Sequence, residues 1–502
     1  MQSPILIGLD IGTSSCKALA IDENARLLAS ESEEYPCYSP RPGWSEQNPA
    51  DWWRGACAAL SRLMRRIDPA RVAAIGLSGQ MHGMVAMDAY NNVIRRAILW
   101  NDQRTAAQCD EITELAGGPD GLLGYTNNPM LTGFTGGKIL WLKQNEPENY
   151  AKTKLILNPK DYIRYKLTGD FTTEVSDASG TGLFDVKNRK WGTELIEKIG
   201  LSASRFPKCV ESTDITGTVS ETAFNLTGIH AGVPVSGGGG DAVISTTGLG
   251  LIKPGRIGVT VGTSGVVAMG LPAYMKNPGG KLQVSCNNAP GTWHAMGVTL
   301  NAAGAYSWFA NTFGQYESEQ TKGTGKSVFY LLDKLAEVTP AGADGLIFTP
   351  YLTGERCPLN DPDATGVFAG ITSRHTKGHF ARAVMEGVAF SLKQVYDLIK
   401  SVKGEHLQSN EVVLAGGGAG SPLWRQIFAD VFALPVRTVY GSAEGGSFGA
   451  ALVAGVACGI WSSLEDTVRL IKPESETLPV KENEEVYRQQ YNRYVKIYKS
   501  DV

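Results

Sequence analysis

Several things are scarce in this sequence, and each scarcity closes off a class of function. The eight cysteines, at 16, 37, 57, 109, 209, 286, 357 and 458, never come closer than 20 residues. No Cys-x-x-Cys pair exists to grip zinc or exchange disulfides, so free thiols in a reducing compartment are expected. Charge of either sign is in short surplus: 47 Lys and Arg against 50 Asp and Glu leave a net charge of −3. Without a basic block, an electrostatic nucleic-acid footprint is not expected. Long apolar runs are also missing. The longest, "GAALVAGVACGIW" (449–461), falls well short of the ~20 residues a membrane-spanning helix needs. The opening "SPILIGLDIG" meets Asp10 too soon for a secretory signal, and a cytoplasmic protein without membrane association is expected. Histidine occurs six times. His375 and His379 stand four apart like zinc ligands, but Gly378 and polar surroundings argue against a helix there and no third ligand is near. They read as exposed histidines.

Glycine, by contrast, is abundant, and its placement carries the signal. "IGLDIGTSSCKALA" (7–20) returns as "IGVTVGTSGVVAMG" (257–270), with Ile, Gly, Gly, Thr, Ser and Ala at matching places and Asp10 replaced by Thr260. Each copy alternates as a strand, a Gly-Thr-Ser tip and a second strand. A length of 502 residues and this offset suggest two domains of one ancestry, 1–250 and 251–502, with the boundary near residue 250. Strand-like Val72–Leu77 and helical stretches at 51–60 and 380–400 make the chain α/β. "EVVLAGGGAGSPLWRQIFADVFA" (411–433) reads as strand, glycine loop, helix.

The two tips, Gly12, Thr13 and Ser14 and then Gly262, Thr263, Ser264 and Gly265, offer backbone N–H groups and hydroxyls with little bulk, the makings of a phosphate cradle. A polyphosphate brings Mg²⁺, which asks for a carboxylate on one side; Asp10 supplies it, unless it merely caps its own turn. Gly416, Gly417 and Gly418 follow a strand and precede a helix, where backbone approaches a nucleotide closely. "QTKGTGKS" (320–327) imitates a phosphate loop, but Gln320 stands where its first glycine belongs and no strand leads in.

Four glycines in "PVSGGGGDAVIS" (234–245) clear side chains ahead of Asp241. An Asp at a helix start is a common N-cap; alternatively, the helix dipole keeps it ionised as a base facing an open space. Gln80, Met81, His82, Trp100 and Asn101, with Asp102 and Arg104, mix donors, acceptors and apolar faces in the manner of a polyol or sugar site. His82 alone reads equally as a core histidine.

At these residues the chain resembles the FGGY carbohydrate kinases, over Asp10 to about Gly455. "GFTGGKILWLKQN" (133–145) and "GVFAGITSRHTKGHFARAVMEG" (366–387) are similar to that family's two signatures, and "SGQMHG", "AILWNDQRT", "NPKDYIRYKLTGD" and "SDASGTGLFD" are similar to its D-xylulose-phosphorylating members. The resemblance implies two actin-like, ribonuclease H-like domains, a hexokinase-type duplication around a central catalytic cleft. It implies ATP and Mg²⁺ as cofactors, Asp241 as proton acceptor, Asp10 as the metal-associated acid, and Met81 with His82 as sugar contacts. Phosphate would fall to Gly262–Gly265, and nucleotide to Gly304 and Gly416–Gly418. D-xylulose is the expected sugar, with gluconate, ribulose or a non-catalytic sugar-sensing clamp as alternatives; a homodimer is compatible with the family. One departure is Ala242, where many D-xylulose-phosphorylating members carry Asn, and part of the sugar contact is open for that reason.

Overall fold

A computed structural model describes residues 3–402 and 407–498. The chain packs as two compact units. Unit 1 comprises residues 1–253, 270–294 and 444–471; unit 2 comprises 254–269, 295–443 and 472–502. Each unit is built on a mixed sheet.

In unit 1, strands β1 (Ile5–Ile11), β2 (Ser15–Asp22), β3 (Leu27–Glu34), β4 (Val72–Gly79), β5 (Ile215–Thr218), β6 (Pro234–Ser236) and β7 (Gly239–Gly240) form one sheet. Its order is β5-β6-β4-β1-β2-β3, with β7 alongside β4. β1 runs antiparallel to β2 and parallel to β4. That register sets Asp10 between Lys17 and Ser78 at the strand ends. Every β1 side chain except Asp10 is buried, because both faces of the sheet are covered.

One cover is α1 (Pro49–Met64), begun by the Asn48 side chain accepting the Ala50 N–H and by a proline whose missing N–H would be unpaired there anyway. Trp52, Ala56, Ala59, Leu60 and Leu63 lie along its buried face in the core with Ile7, Leu9 and Ile75. The other cover is the helix Gly445–Ala457, which is why this late segment belongs to unit 1. It lies so close that a Cβ on Gly8 or Gly76 would come within 1.8 Å of the Ser447 or Ala450 carbonyl. Two glycines in otherwise apolar strands are thereby accounted for.

Unit 2 repeats the plan. Strands β8 (Arg256–Val261) and β9 (Gly265–Leu271) make the second hairpin, and β10 (Glu411–Ala415) runs parallel to β8 as β4 does to β1. β11 (Val436–Val439) and β12 (Pro473–Thr477) extend the sheet. At the position equivalent to Asp10, Thr260 sits between Val266 and Ala415. The neighbours that accompany the acid in one copy are apolar in the other. The helix Lys377–Ser401 is capped reciprocally by Thr376 and His379. This corrects the reading of residues 375–379: Gly378 and His379 are helical. His379 is partly buried, its Nε2 3.3 Å from Asp344, while His375 accepts the Thr372 N–H. The phosphate-loop mimic covers the end of the helix Gln315–Thr321 and the turn before the helix Val328–Glu337, with no strand leading in.

No helix among the described residues is long and apolar enough to cross a membrane.

Candidate functional site

Asp241 opens the helix Asp241–Gly248 as its first residue, and Gly240 occupies the N-cap position. Its Oδ1 accepts the N–H groups of Ala242 (2.8 Å) and Met81 (3.3 Å). The four glycines ahead of it are packed closely against their neighbours, while Asp241 itself stays partly exposed. A Cβ on Gly237 would meet the Glu211 carbonyl at 2.5 Å, on Gly238 the Leu77 carbonyl at 2.0 Å, on Gly239 the Asn288 amide at 2.4 Å and on Gly240 the Met81 side chain at 2.6 Å. They permit close strand and side-chain approach, which carries the half-buried acid up against Met81.

Its protonation differs from expectation. Burial first, and the Asp10 carboxylate second, push the Asp241 carboxyl up to about 7. A helix dipole contributes only ~0.3–1 kcal/mol at its terminus. Moving a carboxyl from its usual range to neutrality takes ~4 kcal/mol, so burial wins over the dipole. Asp10 is likewise raised by burial, against the opposing pull of the Ser78 hydroxyl, which donates to its Oδ1 at 2.6 Å, and of Lys17.

Around this acid pair the hairpin tip is braced from below. Gln80 is only 1% exposed. Its amide donates to the Gln47 Oε1 (2.9 Å) and the Gly12 carbonyl (3.3 Å), and its oxygen accepts the Thr13 hydroxyl at 3.3 Å. The Gln47 amide in turn holds the Thr13 carbonyl (2.6 Å), and Tyr35 holds that of Gly12 (2.6 Å). Gln80 therefore meets the hairpin where sequence alone suggested a sugar. Trp100 is 47% exposed and anchors its ring by an Nε1–H bond to the Thr13 hydroxyl at 2.9 Å. Asn101 beside it is exposed. Asp102 and Arg104 are spent on each other: the guanidinium binds Asp102 and Glu46 and lies 3.5 Å over the Trp44 ring, with a side chain 1% exposed.

His82 has a left-handed backbone, φ 68°. Its Nδ1 lies 2.5 Å from the Gly180 carbonyl, and its ring stacks on Phe134 at 4.7 Å. A carbonyl can only accept, so Nδ1 carries the hydrogen and Nε2 is the acceptor end of the ring. Burial, reinforced by the nearby Lys138, pulls the imidazole down to about 3, so it is neutral at any physiological pH.

In unit 2, the second tip is tied to the start of the helix Ala303–Phe313. The N–H groups of Ala302 and Gly304 donate to the Thr263 carbonyl (2.9 and 3.1 Å), and Ala303 to that of Gly262 (2.8 Å). A Cβ on Gly304 would strike the Thr263 carbonyl at 2.8 Å. Thr263 and Ser264 remain exposed, and Gly265 is buried. Among the three loop glycines, Gly416 (φ 84°) and Gly418 pack against Val261, whereas Gly417 faces open space. Gly416 and Gly417 are exposed and Gly418 is buried.

Sequence reasoning missed three supports. Ser78 is one, hidden in the strand before "GQMHG". Lys138 lies inside a quoted signature, where its neighbours from Gly133 to Leu142 are apolar or small. The third is a buried polar network: the Ser176 hydroxyl accepts the Gly240 N–H at 3.1 Å and donates to Glu174 at 2.8 Å, while Asn288 links Ser176 and Ser212. Its members lie far apart in the chain, and only "SDASG" hinted at it.

No group of three or more metal-ligating side chains occurs among the described residues. Mg²⁺ does not demand one, since it commonly binds through one or two carboxylates and substrate phosphates. Asp10, with one oxygen taken by Ser78, and Asp241 beside it fit that pattern.

A duplicated hairpin-bearing α/β unit, with a carboxylate pair in one copy and glycine loops in the other, is the architecture of a two-domain carbohydrate kinase. The N-terminal domain of the FGGY family of carbohydrate kinases matches residues 5–248, and its C-terminal domain matches residues 258–458. The chain belongs to that family. It is 36% identical to a xylulose kinase of Bacillus subtilis over 98% of this chain and 96% of the relative. It is 30% identical to a gluconokinase of the same organism, over 96% and 93%. Among solved structures, a xyloylose kinase from Brucella ovis superposes with a TM-score of 0.90 at 32% identity, covering 99% of both chains.

Proposed function

We propose that this enzyme transfers the γ-phosphoryl group of ATP to the terminal hydroxyl of D-xylulose, giving D-xylulose 5-phosphate and ADP, with Asp241 accepting the hydroxyl proton. The single observation that carries the reading is the Asp241 carboxyl: half-buried, pressed against Met81 beside His82, and pushed up to about 7. A base poised at neutrality is ionised often enough to accept a proton and basic enough to hold it. Phosphoryl transfer asks little more of the protein than positioning and charge.

The roles follow from the contacts. His82 turns Nε2 toward a sugar hydroxyl as a fixed acceptor, its tautomer set by Gly180. Trp100 offers a ring face, held in place by Thr13. Ser78 orients Asp10, which would hold Mg²⁺ together with the phosphates. When bound, the metal neutralises charge on the transferring group. In unit 1 we assign Gly12–Ser14 to phosphate; in unit 2 we assign Gly262–Gly265 to phosphate and Gly304 with Gly416–Gly418 to the nucleotide.

The named relatives support a ketose over an aldonate. So does Arg104: with Asp102 and Glu46 bound to it, it has no freedom to meet the carboxylate of gluconate. A coupled ADP-release assay over D-xylulose, D-ribulose, gluconate and glycerol tests the reading. D-xylulose is expected to give the highest kcat/KM; preference for gluconate would overturn the substrate, and absence of any turnover would overturn the activity.

A further inference from the structure

The carbonyl of His82 has an unusual partner. Lys138, fully buried in the helix Thr135–Asn145, donates its ammonium to the carbonyls of His82 (2.7 Å) and Gly133 (2.6 Å). The Thr135 hydroxyl reaches the same His82 carbonyl at 3.1 Å. Phe134, the residue before this helix, stacks on the His82 ring, so one short segment grips the histidine by its ring face and its backbone oxygen. A Cβ on Gly133 would strike the Trp100 carbonyl at 2.5 Å, which fixes the segment against the other side of the sugar rim.

This grip has work to do. A non-glycine residue at φ 68° sits in sparsely populated, strained backbone space and persists there only where its surroundings impose it. Buried ammonium groups ordinarily face a carboxylate, and here the two strong contacts are neutral carbonyls. The charged and titratable groups facing Lys138 are Asp102, Arg104, Cys109 and His82. Asp102 is already saturated by Arg104 and the Ser45 N–H. A lysine held for packing alone would be costly in such a place.

The geometry points to Lys138 as a positioning residue for sugar recognition: its ammonium locks the strained backbone of His82 so that the imidazole presents Nε2 to a sugar hydroxyl. The inference rests on the sugar-contact role proposed for His82. Burial pulls the ammonium down to about 7, so the lock is intact below neutrality and loosens as pH rises through that value. His82 does not titrate in this range.

The test is a double-mutant cycle of Lys138→Met and His82→Ala, read as KM and kcat for D-xylulose and as Kd for the sugar by calorimetry without nucleotide. Lys138→Met is expected to raise KM and Kd by roughly 10- to 100-fold, with kcat within threefold. In the His82→Ala background the same substitution should add less than threefold, because residues that act through one another are not additive. Effects that multiply, or a kcat loss without a KM change, would overturn the assignment. Should Lys138→Met fail to fold, the wild-type KM measured from pH 6 to 9 must rise on the alkaline side, and Lys138→Gln must flatten that rise; a flat wild-type profile overturns it equally. If wild type binds no D-xylulose, the functional reading falls and takes this inference with it. If wild type and Lys138→Met bind the sugar alike, the inference alone falls.

Discussion

Replacing Asp241 by Asn should stabilise the protein above neutral pH while removing its activity. The carboxyl is pushed up to about 7 by burial and by Asp10. Between the usual carboxylate range near 4 and about 7, the native chain keeps a proton that the unfolded chain releases. Stability contributed by this group is therefore present below about pH 4 and is lost as pH rises to about 7. Each pH unit across that window is worth ~1.4 kcal/mol, giving a loss of up to ~4 kcal/mol, and roughly 2 kcal/mol if partial solvent access relieves half of it. Asn has nearly the same shape and nothing to ionise. Denaturant unfolding of wild type and Asp241→Asn should give curves that converge near pH 4–5 and separate by about 2–4 kcal/mol at pH 8, the variant being more stable. The same preparations in the ADP-release assay should differ by 10²–10⁴-fold in the opposite sense, the usual weight of a general base. A variant whose advantage does not grow with pH would show that the carboxyl is not held near neutrality. One that keeps half its turnover would show that it is not the base.

His82→Ala should lower kcat/KM for D-xylulose by about 1–3 kcal/mol, the cost of leaving a hydroxyl without its partner, and steady-state kinetics should find KM for ATP unchanged. Asp10→Asn should impair use of Mg²⁺-ATP more than sugar binding. Because the Asp10 charge helps raise Asp241, the same change should move the acid limb of the rate profile to lower pH; an unmoved limb would contradict the coupling. Gly416→Ala, strained at φ 84° and aimed at the Val261 carbonyl 2.7 Å away, should destabilise strongly. Gly417→Ala should cost under about 0.5 kcal/mol in thermal unfolding yet raise KM for ATP, and equal destabilisation by the two would refute the distinction between them.

How far the sequence could be read depended on whether a feature is local. Both hairpins, the helices over 51–60 and 380–400 and the strand–glycine–helix passage at 411–433 follow from periodicity and turn chemistry, and the fold contains them. The family was legible for the same reason, since its signatures are continuous stretches. What escaped depends on juxtaposition. The pKa of Asp241 comes from burial and from an acid on another strand. The true function of its preceding glycines comes from carbonyls at 77 and 211. Gln80 carries its donors to the hairpin tip, and no pattern in "SGQMHG" tells that direction from the reverse. At 375–379, a helix start supplied by a Thr–His capping pair prevailed over the local glycine.

The helix Gly445–Ala457 closes the face of a sheet whose first strand begins at Ile5. During synthesis at roughly 5–20 residues per second, tens of seconds separate the emergence of those strands from that of their cover. Throughout that interval, the groove at Gly8 and Gly76 that later receives Ser447 and Ala450 is apolar and bare. Unit 1 therefore cannot finish folding until residues 444–471 have emerged, after most of unit 2 has been made: the first part of the enzyme to be synthesised waits on one of the last. A fragment ending near residue 250 would be born with an open seam, and a nascent chain with that seam exposed is a natural client for a holding chaperone.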